Sequence, residues 1–213
     1  MKGFIFLMLL LVFSCDKKEK INPGQNTESR KVENSVKLKV TDSLYSHPWF
    51  QYYQKYNPNF ILENFQLKQT SPISYQESSV IIMNKKGFNE IYKPFFVFNN
   101  SKTKYLDFDS YQWTLMPDGS AGFEADQQVN LVDFKKKEAK QIAFFGPSYW
   151  IEDAYWKGDS VAVVLGNSYD KVPFIMKYNF NKNEVKNYEY PDTLKIKTPY
   201  SKFRLRNKGI KVE

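Results

Sequence analysis

The chain of 213 residues contains one cysteine, one histidine and nine glycines. Each scarcity removes a class of chemistry. A lone Cys15 cannot form a disulfide within the chain and builds no cysteine-based metal site, so the fold must be held by packing. A lone His47 excludes histidine-rich zinc sites and the HExxH pattern, and leaves a Ser-His-Asp arrangement only through itself. It stands beside Pro48 at a predicted helix start, a place for a surface or capping residue. The few glycines form neither GxGxxG nor GxxxxGK[ST], so no phosphate cradle is expected. Asp107-Phe108-Asp109 and Asp118-Gly119-Ser120 are calcium-like fragments without the spacing and closing Glu of a calcium loop, and they read as turns. No metal or cofactor is predicted.

What the chain does have is apolar and basic. Hydrophobic residues make up 42% and aromatic residues 17%, enough to drive folding of one domain with a real core. The formal charge is +8. In an exported protein this points to anionic lipid, a glycan or an acidic protein and away from nucleic acid. The alternative is that the lysines are simply solvated.

One long apolar run occurs, Phe4–Phe13, preceded by Lys2 and followed by Ser14 and Cys15. It has the length of a signal-peptide core and is short for a bilayer span. The stretch Val12-Phe13-Ser14-Cys15 resembles the lipobox of bacterial lipoproteins, with Phe13 departing from the small residue usual there. The resemblance implies cleavage before Cys15, a diacylglyceryl group on its sulfur and an acyl chain such as palmitate on its amine. Multiple acyl chains give stable anchoring, at about 0.8 kcal/mol per buried methylene. The implied location is the cell envelope, the outer membrane or cell surface ahead of the inner membrane, and the implied partner is the lipid bilayer. Asp16 resembles an inner-membrane retention signal in some lineages, and acidic residues near the cysteine resemble a surface-export signal in others.

The predicted organisation is a signal peptide over 1–14, the lipidated cysteine and a flexible tether over 15–35, and a single mainly-β domain over 36–213. The tether is polar, carries Pro23-Gly24 and has an r.m.s. reach of roughly 25 Å. Val36–Val40 reads as a first strand. Ser46–Tyr56 reads as one short N-terminal helix, with Ser46 as N-cap, Pro48 in the first turn and Trp49, Tyr52, Tyr53 and Tyr56 on one face. From Asn59 onward the pattern is β. The expected strands are Phe60–Leu67, Ser79–Met83, Glu90–Tyr92, Pro94–Phe98, Thr103–Phe108, Gln112–Met116, Ser120–Glu124, Val129–Phe134, Ala139–Phe145, Trp150–Tyr155, Ser160–Leu165, Val172–Phe180, Glu184–Tyr190 and Lys202–Leu205. Tight turns are expected at Pro117-Asp118-Gly119 and Lys157-Gly158-Asp159.

A weak repeat links Asp133–Ile142 to Asn179–Tyr188, with a fainter copy around Phe98–Leu106. Hairpins followed by a strand, a basic turn and a return strand resemble β-propeller blades over Pro94–Tyr190. Only about three blades fit, and closed propellers use four or more. The expected fold is therefore an antiparallel meander with blade-like hairpins, either an incomplete propeller-like array or a two-sheet sandwich.

The candidate site is Tyr149–Trp156, which concentrates two tryptophans, two tyrosines and two acids. Strict strand alternation places Trp150, Glu152, Ala154 and Trp156 on one face and Ile151, Asp153 and Tyr155 on the other. Trp150, Glu152, Asp153, Tyr155 and Trp156 are the predicted binding residues, and packing in the sheet is the competing reading. The predicted role is a non-catalytic binding module for an envelope protein or glycan. The rival is a carbohydrate-active enzyme using Glu152, Asp153 or other acids, because glycoside chemistry needs two carboxyls across a cleft. The basic stretch Lys195–Lys211 reads as a charge-protected edge strand or a contact for acidic headgroups or an acidic partner.

Overall fold

The computed structural model describes Leu38 and residues 42–213. Cys15, its lipobox, the tether and all of Val36–Val40 except Leu38 lie outside the described residues. Two short helices, α1 (Asp42–Tyr45) and α2 (Pro48–Gln54), precede twelve strands, and α3 (Tyr200–Asn207) follows them.

The strands form two five-stranded antiparallel sheets and a hairpin. The first sheet is the meander β9 (Tyr149–Lys157), β10 (Val161–Ser168), β11 (Pro173–Asn179) and β12 (Glu184–Glu189), with β1 (Gln66–Pro72) added beside β12. The second is the meander β3 (Val97–Phe98), β4 (Lys104–Asp107), β7 (Gln127–Asp133) and β8 (Glu138–Phe145), with β2 (Gln76–Glu77) added beside β8. The hairpin β5 (Trp113–Leu115) and β6 (Ala121–Phe123) leaves the second sheet between β4 and β7. The sheets are open, and the mainly-β antiparallel expectation holds.

The repeat in the sequence corresponds to equivalent hairpins. Asp133 and Asn179 end the third strand of each meander. Their Oδ1 atoms accept from the backbone N–H of Lys136 at 3.1 Å and of Lys182 at 3.1 Å. Lys137 and Asn183 then occupy the left-handed region at φ 55° and 50°. Side-chain acceptors that satisfy turn donors in this way favour Asp and Asn at such positions. The two tight turns expected at Gly119 and Gly158 also form, at φ 80° and 67°.

Packing explains the long apolar run of β10. Ala162 and Val164 enter the core between the sheets with Leu106, Val129 and Ile142. Val163 and Leu165 enter a second core, where α2 lays Trp49, Phe50 and Tyr53 over the outer face of the first sheet. The third core covers the outer face of the second sheet, with Tyr105 and Val132 under Phe95, Trp113 and Leu205. A strand buried on both faces has no reason to alternate polar and apolar residues.

Several local expectations fail. His47, not Ser46, caps α2, its Nδ1 accepting from Trp49 N at 3.3 Å. Tyr56 lies past the helix end and is exposed, so the buried face is Trp49, Phe50 and Tyr53. Phe60–Leu67 begins with a 3-10 turn at Leu62–Asn64 before β1. Glu90–Phe95 is a 3-10 helix capped by Asn89 Oδ1, and Ser79–Met83 forms no strand. Lys202–Leu205 is helical within α3. Alternation in Phe203-Arg204-Leu205 mimics a strand, but Tyr200, Arg204 and Leu205 are buried at helical spacing.

Candidate binding site

The candidate segment is β9, and a bulge sets its geometry. Asp153 pairs with Leu165 and Ile151 with Gly166, which leaves Glu152 as an extra residue. An extra residue shifts the side-chain alternation. Ile151 and Ala154 therefore both belong to the inter-sheet core, and Trp156 packs on it. Glu152 turns to the other face, against Trp49 and Tyr53. Tyr155 also packs on that helical side, and Asp153 meets His47 there. Strict alternation over 150–156 is thereby corrected: Glu152 and Asp153 share a face, and Ala154 and Trp156 occupy the opposite one.

Opposite the bulge, Gly166 is required by close approach. A Cβ there would lie 2.2 Å from Phe174 Cζ and 2.6 Å from the Trp150 carbonyl oxygen.

Glu152 is fully buried. Its Oε2 accepts from Trp49 Nε1 at 2.8 Å, and its Oε1 accepts from Tyr53 Oη at 2.6 Å and from Tyr200 N at 2.9 Å. Trp150 Nε1 donates more weakly to Oε1 at 3.4 Å. Burial pushes the Glu152 carboxyl up from its ordinary range, against the pull of the Tyr53, Trp49 and Trp150 donors. Helix α3 has no side-chain cap of its own at Pro199. The carboxylate of Glu152 meets its first free N–H, which satisfies an orphan donor and places negative charge at the positive end of the helix. One side chain thus joins α2, β9 and α3.

Asp153 and Tyr155 are structural neighbours of His47. His47 Nε2 lies 3.8 Å from Asp153 Oδ2, and its ring packs 5.1 Å from that of Tyr155. Burial lowers the His47 pKa, and the nearby Asp153 works against that shift. Trp156 donates from Nε1 to Val97 O at 2.9 Å and packs 5.4 Å from Phe180. Of the five predicted residues, Trp150 alone lines the pocket described next.

That pocket, about 250 Å³, lies between the β5–β6 hairpin, the start of β9 and α3. Trp113, Phe123, Tyr149, Trp150 and Leu205 supply aromatic and aliphatic walls. Phe123 and Tyr149 are 45% and 47% exposed, so the rim presents aromatic surface to solvent. Glu152 fixes the Trp150 indole from behind and holds α3 against β9.

The polar side of the pocket is a buried ion pair. Arg204 donates from Nη1 to Asp109 Oδ2 at 3.0 Å and from Nη2 to Asp109 Oδ1 at 2.7 Å. Trp113 Nε1 donates to the same Oδ1 at 3.0 Å. Burial opposes the charge on Arg204, but the bidentate Asp109 carboxylate together with Asp153 and Tyr200 raises the guanidinium pKa on balance. The guanidinium also packs over Phe108, 5.0 Å from the ring centre. Arg204 Nε and Gln112 Oε1, both on lining residues, are buried without a hydrogen-bond partner among the described residues. Such atoms cost free energy, so they mark a place where stability is given up.

Gln127 braces the floor. Its Nε2 donates to Phe108 O at 3.0 Å, and its Oε1 accepts from Ile151 N at 2.6 Å. It therefore ties β7 of one sheet to β9 of the other.

Sequence reasoning missed Asp109, Gln112, Trp113, Gln127 and Arg204. Asp109 was visible only as part of a calcium-like fragment. Within that fragment, Asp107 Oδ1 accepts from the N–H groups of Asp109 and Ser110 at 3.1 and 3.0 Å, which makes the turn that aims Asp109. Arg204 was visible only as one of many basic residues. Against known proteins, the chain matches no family model, no curated protein and no solved structure, so its function must be read from these residues.

Proposed function

We propose that this chain is a lipid-anchored protein of the cell envelope whose β domain binds a saccharide of an envelope glycan in the Trp113–Trp150 pocket. The observation that carries the reading is the pocket itself. Sugar rings are recognised by apolar stacking on aromatic faces together with planar polar groups that meet hydroxyls. Here Trp150 and Tyr149 supply the first, and the polar side chains of Gln112, Asp109 and Arg204 line the same pocket. The volume of about 250 Å³ is below the ~300–1,000 Å³ typical of clefts for drug-sized ligands, and suits a single ring. The walls are held by buried hydrogen bonds before any ligand arrives, which reduces the ordering cost of binding.

The rival enzyme reading looks first to Glu152 and Asp153, and then to other acids. Glu152 is enclosed by Trp49, Tyr53 and Tyr200, and Asp153 faces His47. The carboxylate that does line the pocket, Asp109, is engaged by Arg204. Two carboxyls facing a ring from opposite sides, as glycoside hydrolysis uses, do not arise from these three residues, which favours binding.

The anchor is supported by Phe4–Cys15, and mass spectrometry of the mature N-terminus tests it. Cys15→Ala should move the protein out of the detergent phase once the signal is cleaved; unchanged partitioning would refute the anchor. For the pocket, calorimetric titration with N-acetylglucosamine oligosaccharides should give saturable binding that Trp150→Ala weakens at least tenfold while the thermal transition is retained. Equal affinity in the two proteins would refute this site.

A further inference from the structure

A second surface, separate from the pocket, is formed where α2 meets α3. Tyr52 packs 4.9 Å from Phe203 and 6.0 Å from Tyr56. Tyr56 and Phe203 are 39% and 37% exposed. Lys55, the C-cap of α2, and Lys197, in the segment leading to α3, each lie 5.8 Å from the Tyr56 ring centre. Arg206, three residues after Phe203, is exposed and close enough to Tyr52 to act on its phenol electrostatically. Neither Lys55, Lys197 nor Arg206 is in an ion pair among the described residues. The Arg206 guanidinium instead donates to Val212 O at 2.8 Å.

This combination differs from a merely solvated basic face. A solvated face scatters cations among acids, whereas here cations ring exposed aromatics on a rigid two-helix support. Amphipathic aromatic side chains favour the headgroup level of a bilayer, where lysine and arginine stems lie along apolar surface with their charges in the polar layer. Each such cation contributes favourably next to an anionic leaflet. We infer that the Tyr52–Tyr56–Phe203 surface, with Lys55, Lys197 and Arg206, rests on an anionic phospholipid headgroup layer. The proposal is independent of pocket occupancy and of how the N-terminus is processed. It gives the folded domain its own membrane contact and a fixed orientation.

The test is amide hydrogen exchange by mass spectrometry on the full chain reconstituted in vesicles of phosphatidylcholine, with and without phosphatidylglycerol. Exchange in 48–56 and 200–208 should slow only in the phosphatidylglycerol vesicles, and high salt should abolish the slowing. A peptide from β10, buried on both faces, serves as the reference for an intact fold. The triple variant Lys55→Gln, Lys197→Gln, Arg206→Gln should lose the slowing while β10 stays protected. Identical exchange in both vesicle types overturns the proposal, as expected if this face meets an acidic protein. Retention of the slowing by the triple variant overturns it too.

Discussion

Removing the Glu152 carboxylate should cost more than any surface change in this protein, and the size of the loss can be worked from its partners. In Glu152→Ala, Trp49 Nε1–H and Tyr53 O–H lose their acceptor in a dry core, and Trp150 Nε1–H loses its weaker one at the pocket wall, where water can replace it. Tyr200 N keeps one, because it also donates to Tyr53 Oη at 3.0 Å. The two donors orphaned in the core, at about 1–3 kcal/mol each and offset by no longer burying a carboxylate, give a loss of about 2–5 kcal/mol. Glu152→Gln is the sharper probe. With its carbonyl oxygen at the Oε1 position it still serves Tyr53 and Tyr200, but its NH₂ then confronts Trp49 Nε1–H at the Oε2 position. The expected loss is about 1–3 kcal/mol. Urea titration followed by near-ultraviolet circular dichroism measures both, with m unchanged if the denatured state is unaffected. Amides of α3 should exchange faster in both variants, because the helix loses its docking anion. If Glu152→Gln unfolds at the wild-type midpoint, the carboxylate is not the double acceptor described and the reasoning fails.

Three further outcomes follow from the same packing. Asp109→Asn leaves Arg204 buried without its counter-ion, and chemical denaturation should show a loss of about 3–5 kcal/mol. Gly166→Ala inserts a Cβ into contact with Phe174 and the Trp150 backbone; calorimetry should show about 1–3 kcal/mol or more of overpacking cost, with a lowered transition temperature. Asp107 is buried, and burial raises its pKa from 3.8 to about 6 in the folded state. For an acid so raised, the folded state holds the proton more tightly, so its contribution to stability falls as pH rises from 3.8 to about 6 and is flat beyond. Asp107→Asn should therefore remove a stability decline across that window, and denaturation midpoints unchanged in their pH profile would contradict the assignment.

Much of the β architecture was legible because β-branched and aromatic runs separated by turn residues carry their own local signal. The β9–β10 and β11–β12 hairpins, the Gly119 and Gly158 turns and the Asp133/Asn179 repeat all belong to this class. What was illegible depends on long-range contacts. The β9 bulge adds one residue with no compositional mark, yet it turns Glu152 toward α2 and reverses the facing of every later residue in the strand. Helix α3 has no cap in its own sequence; its cap comes from Glu152, 48 residues upstream. Arg204 could not be told from its basic neighbours until Asp109, 95 residues away, was placed beside it. Trp150 was singled out from the density of aromatics alone, and it lines the pocket. Their density did not tell where Glu152, Asp153, Tyr155 and Trp156 would pack, since buried polar hubs and binding platforms draw on the same residue types.

The proposed binding of a sugar ring in the Trp113–Trp150 pocket can be read from the tryptophans themselves. The four tryptophans distribute usefully: Trp113 and Trp150 line the pocket, Trp49 sits under α2, and Trp156 packs between the sheets. Their indole N–H resonances, assigned by single substitution, report binding at each place separately. Titration with N-acetylglucosamine oligosaccharides, followed by two-dimensional nitrogen–proton NMR, should shift the Trp150 signal most and Trp113 next, with Trp156 unmoved. A Trp150 signal that stays fixed while Trp156 moves, or no shift in any of the four at saturating oligosaccharide, would contradict it.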